Sequence, residues 1–372
     1  PAPAVSFSAG GQTVLASPPA PTPVAALMPA GTVAYASGLP LGMKLHTTLS
    51  MDEVAWLVRP SLPDLPPTPC PNCQHPTPLT KWSCACCGLL FPSRVPAAVQ
   101  ELSGYRVLRP LGRGGMSNVY LVYEHLLARL GVIKTLAAMD ENEHDEQWRI
   151  EAAQCLAREG ELLQQLDHPN IVHVYDRISN HRGNFLILEY IPGPTLEERL
   201  SRLSSSGVVV QGMPYPRYEA LLYGRTVATI LEYFARLPQP IIHNDIKPAN
   251  LIRHASDGRL VLVDFGSAVQ APTDPAATTR LDAYGTPGYA APEQYQGQSS
   301  PQSDIYALGA TLYHLLTNDD PTVHPLTFPN LPDLPTDIVA LLEAALQHDP
   351  AARPSAAQFR TNIDHLLKYE GA

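Results

Sequence analysis

The stretch that most restricts this chain is Ile242-His243-Asn244-Asp245-Ile246-Lys247-Pro248-Ala249-Asn250-Leu251, followed closely by Val261-Leu262-Val263-Asp264-Phe265-Gly266. Between the apolar residues stand an Asp, a Lys, an Asn and a second Asp, in that order. These are the parts phosphoryl transfer requires: a carboxylate to take a hydroxyl proton, an ammonium to offset phosphate charge, and an amide with a carboxylate to hold Mg²⁺ or Mn²⁺. The bland alternative, polar loops between apolar strands, explains the alternation but not the order of the polar types.

Two upstream features fit the same chemistry. Leu111-Gly112-Arg113-Gly114-Gly115-Met116-Ser117-Asn118-Val119 lies between two expected strands, and glycines let a backbone fold closely over phosphate oxygens. By itself such a hairpin is more often just a turn. Followed by a strand and not a helix, it is neither a dinucleotide fingerprint nor a Walker loop. Lys134 ends an apolar strand, where a buried ammonium needs a partner. Counting back from Asp167-His168-Pro169-Asn170-Ile171-Val172, Glu159 is the best acid for it, with Glu161, on another helical face, second. A solvated Lys and a surface Glu are the commoner fate of both types.

Strand-forming runs at 105–108, 119–123, 131–134 and 185–190 come first, with leucines at helical spacing over 154–166. After Pro194 helical periodicities dominate, as over 218–237 and 305–316. Strands followed by helices predict an α+β chain with segregated lobes.

With these motifs in one order, residues 105 to about 369 resemble a protein kinase of the eukaryotic-like (Hanks-type) bacterial serine/threonine group. The resemblance implies a bilobal fold: a β-rich N-lobe with one regulatory helix over about 105–190 and a helical C-lobe over about 191–369. It implies that the loop from Leu111 and Gly112 through Arg113, Gly114, Gly115 and Ser117 covers ATP. Lys134 then holds the α- and β-phosphates, Glu159 positions Lys134, Asp245 is the base, Lys247 contacts the transferred phosphate, and Asn250 and Asp264 carry the metal ions. Backbone groups of Glu189 and Ile191 would bind the adenine edge beyond Leu188, at the gatekeeper position, while Val119, Val132 and Leu251 sandwich the ring. Lys247 and Thr286 imply a Ser or Thr acceptor on a protein substrate. Structural roles are implied for Asp304, as a brace on the catalytic loop, and for Glu293 and Arg353, as a buried ion pair.

Two departures stand out. Asn244 occupies the place where most of the family has an Arg that pairs with a phosphorylated activation loop, so phosphorylation of Thr278 or Thr279 is not expected to be required. Ser117 replaces the third glycine of the phosphate loop, a modest change. The competing reading from another class is a pseudokinase scaffold, although every residue whose loss usually marks one is present.

The formal net charge of −10 argues against nucleic acid as the main partner, and no stretch reaches the roughly 20 uninterrupted apolar residues of a membrane-spanning helix. Residues 1–66, rich in Pro and Ala, are expected to be mostly disordered, with a helix start at Ser50 the exception. Cys70, Cys73, Cys84 and Cys87 have the spacing of a short zinc-ribbon-like module over 67–92, with 93–104 as linker. Cys86 is a rival ligand and His75 a weaker one; two disulfides or free thiols are the alternative. The module would be structural, a place for a regulator to dock. Clustered cysteines suit a reducing compartment, so a cytoplasmic location is expected. Cys155 reads as an ordinary buried or half-buried thiol, and the acids over 140–146 as solvated loop charge, with a basic partner the alternative.

Overall fold

The computed structural model describes residues 99, 102–113, 117–136, 146–181, 183–203, 209–271, 279–280 and 285–370. Five antiparallel strands form the first layer: β1 (Tyr105–Arg113), β2 (Ser117–Glu124), β3 (Arg129–Leu136), β4 (Val174–Asn180) and β5 (Gly183–Glu189), in the order β1-β2-β3-β5-β4. Side chains along a strand alternate between faces, and here both faces are buried. Val132, Leu186 and Leu188 turn toward the main core, where they meet Leu156, Leu162 and Leu163 of helix α1 (Glu146–Leu163). Tyr120, Val122, Ile133, Phe185 and Ile187 point the other way into a second cluster.

That outer cluster is closed by Val99 and Leu102, 1% and 6% exposed. The end of the segment expected to be a linker is therefore packed against the sheet, because an apolar outer face needs cover. Two other expectations are also adjusted. Helix α1 begins well before the leucine spacing at 154, and β4 was not foreseen, since Val174-Tyr175-Asp176-Arg177-Ile178-Ser179-Asn180 is a half-polar edge strand.

Beyond β5 come α2 (Glu197–Leu200), the hairpin β6 (Ser201–Leu203) and β7 (Val209–Gln211), and α3 (Arg217–Arg236). Short strands follow: β8 (Ile241–Ile242), β9 (Leu251–Arg253), β10 (Leu260–Leu262), β11 (Val269–Gln270), β12 (Thr279–Arg280) and β13 (Gln298–Ser299). The chain closes with α4 (Pro301–Thr317), α5 (Thr336–Ala345) and α6 (Ala356–Glu370). Helix α4 is the central one, buried from Ser303 through Leu315, and starts sharply with a Ser300–Ser303 capping box and Pro301 in its first turn. It crosses α3 closely because Gly224 has no side chain: a Cβ there would lie 2.8 Å from Leu312. No helix among the described residues is long and apolar enough to cross a membrane.

The cover over the outer sheet face generates a stability prediction. Leu102→Ala should lower the urea unfolding free energy by roughly 2 kcal/mol or more, as a large-to-small change at a buried site does. An unchanged midpoint would show that the sheet stands without this segment.

Candidate active site

Alternation along β3 brings Lys134 to the inner face, 7% exposed, where it meets two carboxylates. Its Nζ lies 2.7 Å from Glu159 Oε1 on α1 and 2.6 Å from Asp264 Oδ1 after β10. Burial disfavours the ammonium, but Glu159 and Asp264 outweigh it and hold its pKa above the ordinary lysine value. Burial likewise works against the Asp264 carboxylate, yet Lys134 draws it down to about 2. Glu159, 3% exposed, also accepts the Phe265 N–H at 3.2 Å. Glu161 instead faces outward and pairs with Arg177 at 3.1 Å, so of the two acids Glu159 is the one that meets Lys134.

The loop that carries Asp245 follows β8. Asp304, at the start of α4, accepts the N–H groups of His243 and Asn244 at 2.7 and 2.8 Å. Burial pushes the Asp304 carboxyl up to about 7, although both N–H groups pull the other way. Asn244 has a φ of 66°, a left-handed conformation that Asn tolerates better than most residues. Asp245 then meets Thr286, whose hydroxyl donates to Oδ1 at 2.7 Å, and Lys247, 2.8 Å from Oδ2. Lys247 closes the triangle by donating to the Thr286 hydroxyl at 2.6 Å. Asn250 donates its amide to the Asp245 carbonyl and Oδ2 at 2.8 and 3.0 Å. Below the loop, Arg353 holds Glu293 bidentately at 2.7 and 2.8 Å, and Ser303 adds a bond at 2.7 Å.

Lys134, Glu159 and Asp264 line one cleft of about 850 Å³, and Asn250 joins them there from the second cluster. Leu111 and Gly112 of β1, Val119 of β2 and Val132 of β3 line one side. Leu188, Glu189 and Ile191 line another, where the sheet passes into the helical part. The far wall departs from expectation. Leu251 is 1% exposed and packed in the main core, while its neighbour Ile252 faces the cleft together with Val263. Successive residues of β9 point to opposite faces, so only one of the pair can reach the cleft. Arg113 ends β1, and Gly114 and Gly115 lie outside the described residues.

A family model described as "Protein kinase domain" matches residues 105–362. The chain belongs to the protein kinase family. Serine/threonine-protein kinase PrkC of Bacillus subtilis is 32% identical over 274 residues, covering 72% of this chain and 37% of its own. Serine/threonine-protein kinase C of Synechocystis is 32% identical over 272 residues, 68% of this chain and 48% of its own. Serine/threonine-protein kinase PknJ of Mycobacterium tuberculosis is 32% identical over 300 residues, 74% of this chain and 47% of its own. The chain thus spans less than half the length of these curated relatives.

The donor set of this kinase fits a hard divalent cation. Asn250 commits its amide NH₂ to Asp245, which leaves its oxygen as a ligand, and Asp264 is ionised with about half its side chain open to the cleft. Oxygen donors of this kind suit Mg²⁺ or Mn²⁺. Cys70, Cys73, Cys84 and Cys87, with Cys86, His75 and the arm over 1–66, lie outside the described residues. Among the described residues no group of three or more His, Cys, Asp or Glu gathers as a metal site. Cys155 is half-buried, as expected, with Arg158 3.2 Å from its sulfur.

His243 is fully buried, edge-on to Phe265 with ring centroids 4.7 Å apart. Its Nδ1 accepts the Asp245 N–H at 3.3 Å, so the ring is a neutral spacer under Asp245. Burial holds its pKa down to about 4 against an ordinary 6.5. The unfolded chain therefore takes up this proton first, and the stability His243 contributes is complete above 6.5 and lost as pH falls toward 4. The stability gap between wild type and His243→Gln, measured by urea unfolding, should narrow from pH 7 to pH 5. A constant gap would mean that the ring does not titrate as the burial requires.

Proposed function

We propose that this kinase transfers the γ-phosphate of ATP, in line, to Ser or Thr hydroxyls of protein substrates in a signalling role that includes autophosphorylation. The observation that carries this reading is the Asp245–Thr286–Lys247 triangle, joined through Asn250 to the cleft that Lys134, Glu159 and Asp264 line. Asp245 aligns the acceptor hydroxyl and takes its proton, and Lys247 offsets charge on the phosphoryl group in transit. Lys134, fixed by Glu159, holds the α- and β-phosphates. Asn250 and Asp264 hold the metal ions, which when bound neutralise the developing charge on the phosphate oxygens. Leu111, Val119 and Val132 cover one face of adenine and Ile252 the other, with backbone groups of Glu189 and Ile191 at its edge. Gly112, Arg113, Gly114 and Gly115 close over the phosphates.

Asn244 carries no charge to pair with a phosphorylated residue, and the activation segment has another anchor, the pairing of β12 with β13 through Thr279 and Ser299. Control therefore does not run through loop phosphorylation. Incubation with Mg²⁺, labelled ATP and a generic basic protein tests both statements. Asp245→Asn should lower kcat by about 10²–10⁴-fold, as loss of a general base does, while Thr278→Ala with Thr279→Ala keeps wild-type activity. Wild-type incorporation no greater than that of Asp245→Asn would make the protein a scaffold, and an inactive double alanine variant would restore loop phosphorylation as the switch.

For 67–92 we propose a structural zinc site built from Cys70, Cys73, Cys84 and Cys87, at which a regulator docks. A closed four-thiolate site keeps no open position for chemistry, and a segment this short has little else to fold around. A cytoplasmic location follows from the same clustered thiols. Purified protein should contain equimolar zinc that Cys70→Ser with Cys73→Ser removes. Metal-free protein whose thiols oxidise reversibly would replace the zinc site with a redox switch.

A further inference from the structure

Asp245 can align an acceptor only while the catalytic loop stays fixed against the segment running from Asp264 to Glu293. The residue before it, Asn244, supplies that link without charge. Its side-chain NH₂ donates to the Ser267 carbonyl at 3.1 Å, just beyond Gly266. Its backbone carbonyl and its Oδ1 both face Nε2 of Gln294, at 3.3 and 3.4 Å. Gln294 follows Glu293, and its own Oε1 accepts the Ala291 N–H at 2.8 Å. Asn244 is 2% exposed and Gln294 0%, so water cannot replace these bonds. The segment leading to Thr286 presses on the same peptide group. Gly285 has a φ of +73°, and a Cβ on it would lie 2.7 Å from the Asn244 carbonyl oxygen and 3.3 Å from Gln294 Nε2.

One amide side chain thus touches the peptide that joins Asn244 to Asp245, and both ends of the activation segment are tied to Asn244, Ser267 through its side chain and Ala291 through Gln294. We propose that Gln294 is a positioning residue for Asp245: an uncharged clamp that, through Asn244, joins the catalytic loop to Ser267 at the start of the activation segment and to Ala291 at its end. Asp245 and Thr286 stay aligned without a phosphate on the loop between. The role rests on the kinase reading and adds a residue and a mode of control to it.

The test uses the full chain with Gln294→Met, which keeps the side-chain volume and removes both polar ends, together with Gln294→Ala, Asn244→Ala and the double alanine variant. In each, kcat should fall about 10-fold or more, because a small displacement of the base is enough for such a loss. KM for ATP and the ATP-induced shift in Tm should stay at wild-type values, since Lys134 and the cleft are untouched. The double variant should lose no more than the worse single one, as expected of groups acting together. Amide exchange over 240–250 should quicken while exchange over 117–136 does not. Wild-type kcat in Gln294→Met, additive losses in the double variant, or loss of the ATP-induced shift would overturn the clamp. Should Gln294→Ala fail to fold, Gln294→Met carries the comparison. Failure of the kinase reading shows separately, as wild-type activity no greater than that of Asp245→Asn. In that event unchanged exchange over 240–250 in Gln294→Met still overturns the clamp, and faster exchange still supports it.

Discussion

The ammonium of Lys134 is the point on which the rest of the site hangs. A buried cation is tolerated only when its charge is met, and here Glu159 and Asp264 meet it from two different elements. Strand β3, helix α1 and the turn after β10 are thereby brought to one spot, although the three residues are far apart in the chain. Withdrawing α1 would strip Lys134 of Glu159 and free the Phe265 N–H in the same movement, since Glu159 accepts both. The position of α1 and the pairing of the buried charge in the cleft are thus linked through one carboxylate.

The other half of the site is rigid for a different reason. Asp304 projects from the most deeply buried helix and accepts two consecutive N–H groups of the catalytic loop, so the loop is hung from the core and not from the surface. Neutral His243 fills the space between that anchor and Phe265. Glu293 and Arg353 lock the far end of the activation segment, and removing one would leave the other as a buried, uncompensated charge. The cleft therefore lies between a charge-coupled N-lobe and a hydrogen-bonded C-lobe.

Much of this was legible from residue order. Strands β1, β2, β3 and β5 have alternating or continuous apolar runs, and the spacing of Glu159 from Asp167-His168-Pro169 selected it over Glu161. The misses share a cause. Strand β4 pairs along a sheet edge with half-polar residues, a pattern indistinguishable from a loop until β5 lies beside it. Val99 and Leu102 look like linker residues because the apolar surface they cover comes from strands later in the chain. Leu251 and Ile252 are equally apolar; period-2 alternation said that one of them faces the cleft, but not which.

By itself the sequence determined the chemistry available: an Asp, a Lys, an Asn and a second Asp in an order that suits phosphoryl transfer, with a Lys upstream and a Glu to pair with it. Those are covalent facts, carried by residue type and short-range spacing. Tertiary structure alone decided which groups meet. The 2.6 and 2.7 Å contacts of Lys134, the choice of Ile252 over Leu251, and the burial of Gln294 against Asn244 join residues from distant parts of the chain. Such contacts depend on how whole elements pack, and packing answers to total buried surface and satisfied polar groups, not to any one stretch of sequence.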